Sequence, residues 1–195
     1  MEISQPASSK IHPGYVPGNW YLPLGITASF STGVAPGNGS IRLALGYIDR
    51  PVAINALGGR IQTVSASGNW QAAIYAADPT TKRPTGAALA ATPSMATGAA
   101  ASVNGAVNVT LQPGFYWFAS NCDNAVAIPT MISSASPVQA QLVGSPTQAN
   151  DMLSNNGFIS GLSVAQAFGT WPDLTAASFT EVVASSIPVV QFKVA

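Results

Sequence analysis

The chain predicts an all-β protein: a single antiparallel β-sandwich of jelly-roll type, with at most one or two short helices and an extended N-terminal arm. Three observations carry that prediction. Apolar and polar residues alternate in short stretches, as in Val107, Val109 and Leu111 against Asn108 and Thr110, the period of a strand with one buried face. Turn-forming residues recur throughout, with 18 glycines and 15 prolines in 195 residues, which suits many short strands. Helix-start chemistry is convincing in one place only, Ser145-Pro146-Thr147-Gln148, where a cap residue, a first-turn proline and a glutamine fit a capping box.

Taken in order, residues 1–18 carry Pro6, Pro13 and Pro17, which prevent regular pairing and predict an extended arm. Such an arm either frays or lies along a neighbouring subunit. The sandwich is then residues 19–195. Trp20-Tyr21-Leu22-Pro23-Leu24 is broken by its proline and suits an edge strand or irregular packing. A loop follows over Gly33–Ser40, and Ile41, Leu43 and Leu45 alternate with Arg42 and Ala44 in a strand. After Pro51, a strand is expected near Ile61–Val64, with Gly58-Gly59 ahead of it as a turn. Ser67-Gly68-Asn69 turns the chain into a strand over Trp70–Ala76, and Asp78–Gly86 is a polar loop. Pro93 and Gly98 interrupt the alanine-rich run from Ala87 to Ala101 and argue against a continuous helix.

The centre of the chain is read as a β-hairpin over about 106–120. The Val107–Leu111 arm meets a Pro113-Gly114 turn and leaves it into Phe115-Tyr116-Trp117-Phe118, whose bulk suits a core. Asn121–Asn124 turns again, and Val126–Ile132 is expected to pair. The helix begun at Ser145 should stop by Asn155-Asn156-Gly157, and the chain closes on a strand with Val190, Phe192 and Val194 on one face.

Only 7% of the residues are charged, against about 25% in an average soluble domain. Seven basic and seven acidic residues cancel, which leaves no electrostatic basis for binding nucleic acid. A weakly charged neutral surface favours association, so a homo-oligomer is expected. The single cysteine, Cys122, forms no intrachain disulfide and no thiolate cluster. No run approaches the roughly 18 apolar residues of a membrane span, and residues 1–10 lack the apolar core of a signal peptide. Neither membrane insertion nor export is expected.

Catalytic chemistry is hard to assemble from these residues. His12 is the only histidine and sits in the arm, and no Gly-x-Ser-x-Gly elbow is present. A glycosidase would need only two carboxylates about 5–10 Å apart. The seven available are Glu2, Asp49, Asp78, Asp123, Asp151, Asp173 and Glu181, most of them in turn contexts where Asp caps backbone amides. No catalytic residue, cofactor or metal site is therefore assigned, and the protein is expected not to be an enzyme. Sugar binding needs less, and Trp70 and Trp171 are the candidate glycan contacts of a carbohydrate-binding module.

Several motifs share an order and spacing that resemble a domain of tail, fibre and other virion proteins of tailed bacteriophages. They are Trp20-Tyr21-x-Pro23, Ile74-Tyr75, the loop Lys82-Arg83-Pro84-Thr85-Gly86 and Leu111-x-Pro113-Gly114-Phe115-Tyr116-Trp117. Phe168–Leu174 and Pro188–Val194 are similar to its C-terminal portion, so the resemblance runs over about residues 20–194. It implies a β-sandwich on the virion surface, usually trimeric and without enzymatic activity. The protein would be assembled in the host cytoplasm beside other virion proteins and serve in host attachment, through a host surface glycan, or in capsid decoration. Members of that family often carry the domain after a particle-binding part, whereas here it begins almost at once. Docking would then fall to the arm or to a face of the sandwich.

Overall fold

The computed structural model describes residues 13–24, 30–34, 38–123, 130–134, 159–183 and 187–195. In chain order its strands are β1 (Trp20–Tyr21), β2 (Phe30–Val34), β3 (Ser40–Ile48), β4 (Val52–Thr63), β5 (Asn69–Ala77), β6 (Pro84–Ala91) and β7 (Met95–Ala96). They continue with β8 (Ser102–Leu111), β9 (Gly114–Cys122), β10 (Thr130–Ser134), β11 (Ile159–Ala165), β12 (Thr180–Val183), β13 (Ile187–Pro188) and β14 (Gln191–Val194). No helix occurs among the described residues, and the capping box at Ser145–Gln148 lies outside them.

Two seven-stranded antiparallel sheets result. The first runs β1-β14-β4-β10-β13, with β8 on the other edge of β4 and β2 beside β10; the second runs β12-β11-β3-β9-β5-β6, with β7 also on β5. They pack face to face as a β-sandwich, the predicted class. Ile54, Leu57 and Ile61 of β4, with Phe192 and Val194 of β14, meet Trp70 and Ile74 of β5 and Phe118 of β9 in the main core. Phe118 and Phe192 stack across it at 6.2 Å between ring centroids.

The central segment is two strands, but not a hairpin. β8 pairs with β4, in the register Val52↔Leu111. β9 pairs with β3 on one side and β5 on the other. Pro113-Gly114 is thus an arch that carries the chain from one sheet to its partner. The cause lies in the aromatic run itself. Tyr116 and Phe118 point into the core between the sheets, while Phe115, Trp117 and Ala119 point to the far side of the second sheet. A strand that is apolar on both faces needs neighbours on both edges and cover on both faces, which an edge pairing with β8 would not supply.

That far side is covered by the segment between β11 and β12. Leu174 and, less deeply, Trp171, Ala177 and Phe179 pack on Ile41, Leu43, Leu45, Tyr75, Trp117 and Leu162. β3 therefore buries both its faces at its middle, not just the face with Ile41, Leu43 and Leu45.

A further expectation changes. The strand placed near Ile61 starts at Val52 and runs straight through Gly58-Gly59, so these glycines are sheet, not turn. A Cβ on Gly58 would stand 3.0 Å from the Trp20 ring; the bare backbone lets the indole lie on the sheet. The described end of the N-terminal arm, from Pro13, lies against the sandwich. Tyr15 packs edge-on against Tyr21 and Phe192, and the Gly18 amide donates to the Val194 carbonyl at 3.0 Å. Residues 1–12 lie outside the described residues. The edge position of β1, the β5 strand over Trp70–Ala76 and the inward Val190, Phe192 and Val194 follow the sequence.

Candidate functional site

Three stretches far apart in the chain meet on the covered side of the second sheet: the loop Asp78–Gly86, the β9 aromatics and the segment Phe168–Leu174. Asp78 organises the loop. Its Oδ1 accepts from the Thr80 and Thr81 amides at 2.9 and 2.6 Å and from the Thr81 hydroxyl at 3.0 Å. These bonds, the Thr81 amide foremost, hold its carboxyl below the usual carboxylate range. The loop closes with Lys82 at φ 59°, a left-handed conformation that costs a non-glycine residue about 1–2 kcal/mol. It turns the Lys82 carbonyl toward the sheet, where it accepts from the Trp117 indole N–H at 2.8 Å.

Gly86, also left-handed at φ 74°, fastens the covering segment. Its carbonyl accepts from the Leu174 amide at 2.9 Å and its amide donates to Thr175 Oγ1 at 3.2 Å. Tyr75 completes the clamp: its hydroxyl donates to the Pro172 carbonyl at 3.1 Å, with its ring 6.3 Å from that of Trp171. Burial pushes the Tyr75 phenol well above its ordinary pKa, and the neighbouring Asp173 carboxylate adds to the shift. The Thr175 hydroxyl and amide hold Asp173 itself low. Arg83 bonds Glu181 at 3.1 Å beside a groove of about 470 Å³ lined by Asp78, Thr81, Pro84, Thr175 and Phe179.

Each described carboxylate considered for a glycosidase pair has a structural partner of its own. Asp78 and Asp173 hold turns, Asp123 accepts from Asn69 at 2.7 Å through both its oxygens, and Glu181 is paired with Arg83. Asp49 lies near Arg50 at 3.9 Å, against Tyr15. Glu2, Asp151 and His12 lie outside the described residues. No cluster of three or more His, Cys, Asp or Glu occurs among the described residues, and Cys122 is buried.

Trp70 and Trp171 are not brought together but pack in different clusters. Trp70 is 0% exposed in the main core, so it offers a glycan no surface. Trp171 is half-buried against Tyr75 as part of the cover. Their hydrophobic bulk was recruited for packing. The exposed indole is Trp20, on the outer face of the first sheet, beside a cleft of about 180 Å³ lined by Gly58, Gly59, Ser102, Asn104 and Gln191. Its sequence signal was faint: a Trp ahead of Pro23 on an edge strand, and a glycine pair inside an alternating stretch. No protein-family model matches the chain, and comparison with the curated proteins finds no significant match.

Proposed function

We propose that the chain is a non-enzymatic structural protein of a tailed-phage virion, displayed on the particle surface as a fibre, receptor-binding or decoration component. The observation that carries this is the clamp. The stretches whose order resembles the virion domain are the ones that bond to one another: Lys82 to Trp117, Gly86 to Leu174, Tyr75 to Pro172. These bonds join segments about 90 residues apart in the chain into one hydrogen-bonded unit. The carboxylates engaged in turns and an ion pair, and the weakly charged surface, suit a particle component better than a catalyst. Other virion proteins are its partners, and a homotrimer is its form.

Purified particles labelled with an antibody against this protein should show the label in negative stain at a fixed place on each virion. Bare particles, with the antibody competent on the free protein, would overturn the assignment. Within the class, a receptor-binding component adsorbs to host cells and blocks infection, whereas a decoration component binds particles alone.

A further inference from the structure

Trp20 is an exposed aromatic, with 38% of its surface accessible. It sits in β1 at the sheet edge, opposite Lys193 of β14, and its ring leans over Gly58 of β4. Gln191 and Asn104 stand opposite Gly58 on its two sides, which puts their Cα atoms about 10 Å apart across a flat glycine floor. Ser102, two residues along β8 from Asn104, adds a hydroxyl. The cleft between these groups holds about 180 Å³, well under the roughly 300 Å³ at which sites for drug-sized ligands begin.

The chemistry of this lining is specific. Two primary amides and a hydroxyl offer donors and acceptors in both senses, with no charged side chain in the wall. An indole offers an apolar face at the same place. The ligand that uses both has one C–H face and a rim of hydroxyls, and is the size of one six-membered ring. We propose that the Trp20 cleft binds a single pyranose ring of a glycan. The indole packs on its C–H face, and Asn104, Gln191 and Ser102 bond its hydroxyls. Lys193 and Arg60 flank the cleft on the same face, opposite Trp20 and Ser102 respectively, so acidic sugars are accepted and cationic ones disfavoured. Gly58 is a positioning element, since a Cβ there would stand 3.0 Å from the Trp20 ring and push the indole off the floor. The site is independent of the virion assignment and would serve a carbohydrate-binding protein equally well.

The test is an array of bacterial, plant and animal glycans probed with the full chain and with Trp20→Ala and Asn104→Ala. The wild type should be retained on at least one glycan, and each variant should lose tenfold or more of that signal. The retained glycan, added free to the ¹⁵N-labelled protein, should shift the Trp20 indole resonance and leave those of Trp70 and Trp117 in place. Should Trp20→Ala fail to fold, Asn104→Ala decides alone, because Asn104 is exposed and its loss leaves the core intact. No retained glycan, retention that Asn104→Ala leaves within twofold, or a shift centred on Trp171 in place of Trp20 would overturn the proposal.

Discussion

Trp117 and Lys82 are coupled: the buried indole N–H needs an acceptor, and the loop supplies the carbonyl of Lys82, which it holds left-handed. Trp117→Phe keeps an aromatic ring but removes the donor, so the strained loop loses what holds it. Urea denaturation should show a loss of about 1–3 kcal/mol; an unchanged midpoint would mean that the clamp is incidental. Two tyrosines set the alkaline limit. Burial raises Tyr15 to about 12, aided by Asp49, and raises Tyr75 further. Both native pKa values lie above the unfolded value of about 10, so the unfolded chain releases its protons first. Their contribution is complete below pH 10 and fades as pH climbs through the native values. Melting temperature should hold steady from pH 8 to 9.5 and fall above pH 10, and Tyr75→Phe should flatten that fall while lowering stability at pH 8. A fall of equal steepness in the variant would contradict the assignment.

Among elements, β9 and its cover decide the architecture. The two strands and the Pro-Gly break between them were legible in Val107–Phe118, because alternation and turn chemistry are local, but the break was read as a hairpin turn and not as an arch. The partner of each strand was not legible. Pairing depends on which apolar faces find cover, and that cover comes from Leu174 and Trp171, over 50 residues away. Gly58-Gly59 misled for a similar reason: glycines in a strand resemble a turn until the ring resting on them is seen. The exposure of Trp20 was equally hidden, since it sits in a short apolar stretch ahead of Pro23. Leu174, 1% exposed, anchors the cover. Leu174→Ala should cost about 2–5 kcal/mol and speed limited proteolysis within residues 166–179 at least tenfold, as about 1.4 kcal/mol already implies. Cleavage confined to other segments would show that the cover is held elsewhere.

For the molecule as a whole, the balance of seven acidic and seven basic residues leaves little repulsion between copies. Self-association into a trimer is the expected outcome of sedimentation at micromolar concentration; a monomer at every concentration would oppose it. Particle membership is the larger claim, and it rests on the clamp formed by residues distant in sequence. Quantitative mass spectrometry of gradient-purified particles measures it directly. This chain should be present at a fixed copy number per particle, in a multiple of three, and be retained through a high-salt wash. Its presence in the infected-cell lysate together with its absence from the washed particles would contradict that claim.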